Sequence, residues 1–168
     1  AILGSAFDSL VAEVAVTAPS AGTYTVVVSA VDVTVGAIGD YLVTLALVPG
    51  SPQISMGDQG GGMSNGVDYA GDIHVGDLDQ WTFSAASGST LQVLVEELGG
   101  DSPLFPSLRL YGPTGVLVGS SSSHELVQVD ATAPATGLYT VVVSTVGSGV
   151  AATGDYRIRV TGASALTD

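Results

Sequence analysis

An internal repeat of 115 residues is the feature that most constrains how this chain can fold. Residues 1–45, laid on residues 116–160, are identical at 19 positions, and the alignment needs no gap. The agreement is densest where residues 19–29 meet residues 134–144, and both segments carry a Gly-Asp-Tyr triplet further on. A period of this length is the size of one domain, so the chain is predicted to contain tandem units.

The repeat also predicts the domain boundaries. Residues 1–48 match only the C-terminal half of the unit, so we expect their missing strands to come from another copy or from preceding sequence. Residues 49–56 are the predicted linker, stiffened by two prolines. Residues 57–162 are predicted to form a complete unit, and residues 163–168 a tail or a second linker.

Short segments of alternating polarity predict an all-β fold for the complete unit. No window combines a 3.6-residue apolar period with helix caps, and the abundant valine and glycine favour short strands joined by tight turns. The predicted strands cover residues 71–75, 80–85, 90–96, 107–111, 116–119, 126–131, 137–145 and 155–160. This many short strands indicate an antiparallel, jelly-roll-like β-sandwich of two sheets.

The charge of the chain excludes several classes of function. Three arginines and no lysine stand against 16 acidic residues, which gives a net charge of −13. Phosphate backbones repel so acidic a chain, so a nucleic-acid partner is excluded. No apolar run approaches the ~20 residues that span a bilayer, and we expect no membrane insertion. The absence of cysteine excludes thiol nucleophiles and cysteine-ligated zinc.

Aspartates cluster in one stretch of the complete unit, at Asp68, Asp72, Asp77 and Asp79. Calcium takes oxygen ligands from carboxylates and backbone carbonyls, and the glycine-rich residues 57–62 could supply such carbonyls. We therefore predict a calcium site with Asp72, Asp77 and Asp79 as ligands. The alternative is that Asp77 and Asp79 only cap a turn, since Asp79 has the parity of the inward-facing residues on its strand.

No set of residues in the sequence assembles a catalytic site. The segment Gly62-Met63-Ser64-Asn65-Gly66 matches the G-x-S-x-G nucleophile elbow, but that motif requires a helix after the serine, and none is predicted here. The two histidines, His74 and His124, are isolated from each other and lack metal-ligand spacing. We therefore expect a protein that is not an enzyme.

Three motifs in the expected order make the chain resemble the bacterial pre-peptidase C-terminal domain. Residues 71–85 follow the pattern G-x-I…G-D-x-D-x-W-x-F-x-A, residues 108–115 read L-x-L-Y-x-P-x-G, and residues 137–143 read G-x-Y-x-V-x-V. The resemblance covers nearly all of residues 57–160 and, through the repeat, residues 1–48. It implies a β-sandwich in secreted or surface-exposed bacterial proteins, beside hydrolases or in tandem arrays, without catalytic activity and with calcium bound in some members.

One face of the partial unit has lost its charges. The repeat aligns Leu42 with Arg157 and Thr44 with Arg159, and Ala46 follows on the same face. A face without charge is predicted to be covered, so Leu42, Thr44 and Ala46 are candidate interface residues. Simple divergence between the two repeats is the alternative, because single exposed apolar residues are common.

These observations predict a structural protein at the cell surface or outside the cell. In this hypothesis the chain is a non-catalytic subunit or repeat of an extracellular bacterial filament or surface fibre, and its partners are copies of itself. The units would assemble head to tail by strand complementation. The alternative is an accessory module of a secreted hydrolase that binds calcium or a polysaccharide, although Trp81, the single tryptophan, is predicted to lie in the core.

Overall fold

The described residues between 60 and 161 fold as a sandwich of nine strands. The computed structural model describes residues 1–8, 11–30, 38–52, 54, 58–99, 104–146 and 153–164. The strands are β1 (Gly60–Gly62), β2 (Asp68–Ile73), β3 (Asp79–Ala85), β4 (Thr90–Leu98), β5 (Pro106–Tyr111), β6 (Leu117–Ser122), β7 (Leu126–Thr132), β8 (Gly137–Thr145) and β9 (Gly154–Thr161). Each of the eight predicted strands is present, and the all-β class is confirmed.

The strands form two sheets that face each other. The five-stranded sheet has the order β1-β3-β8-β5-β6, and the four-stranded sheet has the order β2-β9-β4-β7. The pairing of β1 with β3 is parallel, whereas the other pairings are antiparallel. β8 and β9 therefore lie inside their sheets, with a neighbouring strand on each side.

The core lies between the sheets and is made of the inward-facing side chains, which occur at alternate positions along the strands of both sheets. Phe83 of β3 and Tyr139 of β8 stack there, with ring centroids 5.5 Å apart and planes inclined by 15°. Gly71 makes room for the ring of Tyr156, since a Cβ on this glycine would lie 2.4 Å from the ring. The large side chains buried completely in this core are Tyr139, Tyr156, Ile73, Leu91, Leu104, Leu108, Leu110 and Ile158.

Strand β1 was not predicted from the sequence. Its three residues are glycines, so it has no side chains whose alternation could reveal a strand. It lies at the edge of the five-stranded sheet, with Gly60 opposite Gln80 and Gly62 opposite Thr82.

The N-terminal segment has no strand among its described residues 1–8, 11–30 and 38–48. Its described residues contact the outer face of the five-stranded sheet: Glu13 forms an ion pair with Arg109, and the backbone carbonyl of Leu47 accepts a hydrogen bond of 3.0 Å from Gln80. The division of the chain into a partial and a complete unit stays a prediction. Parts of the predicted linker and tail, residues 53, 55–56 and 165–168, lie outside the described residues, as does residue 57, the first of the predicted complete unit.

A helix of the length and hydropathy that a bilayer crossing requires does not occur in the described ranges of the chain.

Candidate functional site

Three carboxylates meet at the start of β3. Asp58, Asp77 and Asp79 each place one oxygen within 4.8 Å of the oxygens of the other two. Asp77 and Asp79 flank Leu78 at the beginning of the strand, and Asp58 lies two residues before β1. Continuing the parallel register, in which Gly60 lies opposite Gln80, sets Asp58 beside Leu78 and hence between the other two aspartates.

Asp79 is the buried member of this cluster, with no exposed surface. Its Oδ2 accepts a hydrogen bond from the hydroxyl of Tyr156, and that hydroxyl accepts a hydrogen bond of 2.8 Å from Nε1 of Trp81. Its Oδ1 is buried and has no hydrogen-bond donor among the residues the structure describes. Because a buried polar atom without a partner is costly, this oxygen is suited to a ligand.

The cluster also holds unfavourable negative charge. Burial, followed by a side-chain hydrogen bond with Asp58 and by the negative charges of Asp77 and Asp58, raises the pKa of Asp79 to about 8. Burial, followed by the charge of Asp58, raises the pKa of Asp77 as well. A divalent cation would relieve both effects, because it supplies the opposite charge and a partner for the free Oδ1. The residues present therefore fit a calcium ion.

The predicted ligands are only partly brought together. Asp77 and Asp79 lie in the cluster, but Asp72 is on β2, where Oδ2 lies 3.2 Å from Nδ1 of His74. Asp68 instead forms two hydrogen bonds with Arg159, at 2.5 and 2.7 Å, and these lower the pKa of its carboxyl.

The third carboxylate, Asp58, was not among the predicted ligands. No local pattern marks it, because only the pairing of the glycine strand β1 with β3 brings it to the cluster. Asp77 also makes the kind of contact that the turn-capping alternative predicts, since its Oδ1 accepts a hydrogen bond of 2.9 Å from the amide of Leu78.

The three candidate interface residues differ in their surroundings. Leu42 is 81% exposed, whereas Thr44 and Ala46 are half-buried. The hydroxyl of Thr44 donates a hydrogen bond of 3.1 Å to the carbonyl of Gly76, in the loop just before the aspartate cluster. The described segment 38–50 thus passes close to the candidate metal centre.

The two repeats share one local structure, a tyrosine that closes a loop onto the backbone four residues upstream. The hydroxyl of Tyr139 donates to the carbonyl of Ala135 at 2.6 Å and accepts a hydrogen bond of 3.3 Å from its amide. Tyr24, which the repeat aligns with Tyr139, donates to the carbonyl of Ser20 and accepts a hydrogen bond of 3.4 Å from the amide of Ser20. Such tyrosine corners are familiar from β-sandwich proteins, where they precede a core strand.

The serine of the G-x-S-x-G match lies outside the context that catalysis requires. Ser64 is in the connection between β1 and β2, and its amide donates a hydrogen bond of 3.0 Å to the hydroxyl of Tyr69. The segment that follows it is the strand β2, not a helix. His74 is paired with Asp72, and the ring of His124 packs edge-on against Phe105 at 4.2 Å.

The fold is similar to solved structures of bacterial β-sandwich proteins. The pre-peptidase C-terminal domain of a collagenase from Bacillus anthracis matches 62% of this chain and 96% of its own length, with 16% identity and a TM-score of 0.50. CorA, described as a surface-associated copper-binding protein important in copper acquisition by Methylomicrobium album BG8, matches 62% of this chain and 98% of its own length, with 9% identity and a TM-score of 0.52. These similarities confirm a fold like that of the pre-peptidase C-terminal domain. No protein-family model and no curated protein sequence matches the chain.

Proposed function

We propose that this chain is a non-catalytic structural module of an extracellular bacterial fibre or surface array. In this assembly, β-sandwich units join by strand complementation, and residues 1–48 are the half of a unit that another unit completes. The similarity in fold to a collagenase domain and to a protein described as surface-associated supports a location outside the cell.

The exposure of N-terminal residues that the repeat aligns with core strands of the sandwich carries this proposal. Val26, Val27 and Val28 are 72%, 82% and 51% exposed, whereas the aligned residues 141–143 of β8 are 0%, 3% and 0% exposed. Tyr41 is 71% exposed, and the aligned Tyr156 is completely buried. Burial of apolar surface contributes about 25 cal/mol per Å², so a segment of this sequence gains stability when a partner covers it.

Light scattering after size-exclusion chromatography, with negative-stain imaging of the peak, tests the proposal. We expect the full chain to form elongated oligomers, and the double variant Val26→Asp/Val28→Asp to remain monomeric. The matched control is Val116→Asp/Leu117→Asp, which adds two charges at exposed apolar positions of the sandwich and should assemble normally. A chain that stays monomeric at every concentration would contradict assembly through this segment.

A second candidate function is a calcium-binding accessory module of a secreted hydrolase. The buried Oδ1 of Asp79, which has no donor among the described residues, and the adjacent carboxylates of Asp58 and Asp77 favour calcium. The polysaccharide version of this function has less support, because Trp81 is only 4% exposed and offers no surface for a sugar.

Thermal unfolding in calcium and in chelator tests the metal site directly. Calcium should raise Tm in the unmodified chain, since an ion that binds only the folded state stabilises it. The variants Asp58→Asn and Asp77→Asn should lose most of this increase, whereas Asp72→Asn should keep it. Identical values of Tm in calcium and in chelator would contradict the site.

A further inference from the structure

We infer that the outer face of the five-stranded sheet is the interface between consecutive units, and that it holds the N-terminal unit by the side that faces away from that unit's own core. The occupant is the pair of stretches that the repeat aligns with β7 and β9, residues 11–16 and 39–48. This inference rests on the proposed function and names the contact that orders the units in the array.

The outer face of β3 and β8 is buried, although it points away from the core. Trp81 and Tyr139 mark the inward side of these two strands, so the neighbouring Gln80, Thr140 and Val142 point outward. These three residues are only 4%, 1% and 3% exposed. An antiparallel sheet in a two-layer sandwich commonly leaves its outer face to solvent, so a further layer covers this part of the sheet.

Residues 44–49 supply part of that layer, since they lie against the five-stranded sheet. Three contacts hold them there, and these are Thr44 with Gly76, Leu47 with Gln80, and Pro49 with Gly115. They are made in the loop before β3, on β3 itself, and in the turn between β5 and β6.

Burial alternates along this stretch. Thr44 and Ala46 are half-buried, whereas Leu45 and Leu47 are 69% and 57% exposed. A period of two residues is that of an extended chain with one side on a surface. The stretch therefore presents one side to the sheet and the other side to solvent.

The repeat identifies the docked side as the outer side of the N-terminal unit. It aligns Thr44 with Arg159, which points outward from the four-stranded sheet, and Leu45 with Val160, which lies in the core. A short hydroxyl side chain at position 44 lets the stretch approach the carbonyl of Gly76, which gives the loss of the arginine a physical reason. The side that corresponds to the core stays uncovered and open to a complementing partner.

An ion pair adds a second contact of the same kind. Arg157 and Arg159 pair with carboxylates of the sandwich, whereas Arg109, on the outer face of the five-stranded sheet, pairs with Glu13. The repeat aligns Glu13 with Gln128, which points outward from β7. Residues aligned with two strands of the four-stranded sheet, β7 and β9, therefore meet the same face.

This contact joins unlike surfaces of the two units. The outer side of the four-stranded sheet of one unit meets the outer side of the five-stranded sheet of the next, and β-sheets pack readily face to face. A contact between unlike surfaces does not close on itself, so it can extend an array. The inference thus predicts a fixed junction between consecutive units and not a freely moving linker.

Labelling of single cysteines with a maleimide tests the inference, because the chain has no cysteine of its own. Ala46→Cys places a thiol on the docked side, and Leu45→Cys places one on the exposed side as the matched control. Both are made in the Val26→Asp/Val28→Asp background, which we expect to be monomeric, so that labelling does not depend on assembly. We expect the thiol at position 46 to react about tenfold more slowly than the thiol at position 45.

Release of the contact should abolish this difference. Gln80→Ala with Arg109→Glu removes the donor to Leu47 and repels Glu13, so the two thiols should react at the same rate. Adding Glu13→Arg reverses both charges of the ion pair and should slow the thiol at position 46 again. Gln92→Ala shortens an outward glutamine of the other sheet and should change neither rate. Glu13→Arg alone, which leaves the sandwich unaltered, repeats the release if the double variant does not fold.

Equal rates at positions 45 and 46 before any release would overturn the inference. Protection of position 46 that survives both releasing changes would overturn it as well. Protection that is lost on release, in a chain that never forms oligomers, would support this contact and contradict only the fibre. Oligomers of the unmodified chain together with equal rates would contradict only this inference.

Discussion

Tyr156 donates a hydrogen bond from its hydroxyl to Oδ2 of Asp79 and so connects β9 of one sheet to β3 of the other. Trp81 donates to the same hydroxyl at 2.8 Å. Burial, and then the adjacent Asp79, raises the pKa of Tyr156, which keeps the phenol neutral and able to donate. The link between the sheets therefore ends at the candidate metal centre.

Removal of this hydroxyl should destabilise the sandwich. Tyr156→Phe leaves Nε1 of Trp81 and the carboxylate of Asp79 buried with one partner fewer, which should cost about 2 kcal/mol in the free energy of unfolding. Urea denaturation measures the loss. Tyr69→Phe, which removes a hydroxyl from a half-buried tyrosine bound to the amide of Ser64, should cost less than Tyr156→Phe, and equal losses would contradict the network.

Without metal, the protein should become less stable as pH rises from about 4 to about 8. In the folded protein the pKa of Asp79 is about 8, above the ordinary value of 3.8. Between these two pH values the folded state holds a proton that the unfolded state has released, so rising pH favours unfolding. Urea denaturation in chelator across this range measures the slope. Asp79→Asn should flatten it, and a slope that survives this substitution would assign the effect to another group.

Gly71 should tolerate no side chain. In Gly71→Ala the new Cβ would lie 2.4 Å from the ring of Tyr156, and the resulting overpacking should cost about 2 kcal/mol in the free energy of unfolding. Gly62→Ala is the matched control in another strand, since nothing lies within 4 Å of its Cβ position. Denaturation curves compare the two, and equal effects would show that the space opposite Tyr156 is not limiting.

The two tyrosine corners should respond differently to the same substitution. Tyr139→Phe removes a hydrogen bond that anchors the start of β8 and should cost about 1 kcal/mol. Tyr24→Phe removes the equivalent bond from a segment without a sheet and should leave the unfolding of the sandwich unchanged. A loss of sandwich stability in Tyr24→Phe would instead show that residues 20–24 support the sandwich.

Most of the fold could be predicted from alternating polarity. Trp81, Phe83 and Ala85 occupy the inward face of β3, as their spacing predicts, and the eight strands with side-chain alternation were all recognised. The glycine strand β1 was missed because it carries no such signal. Asp58 was missed for the same reason, because it is the pairing of β1 with β3 that brings its carboxylate to Asp77 and Asp79.

The sequence by itself determined the two-sheet class, the positions of the strands with side chains, and the acidic, lysine-free character of the chain, since each of these depends on residue type and local spacing. The tertiary structure decided which carboxylates meet, because a cluster at the start of two neighbouring strands depends on their pairing and not on the distance along the chain. It also decided that Val26, Val27 and Val28 lie exposed while the aligned residues in β8 are buried. An identical strand sequence is buried only where a neighbouring sheet is present to cover it.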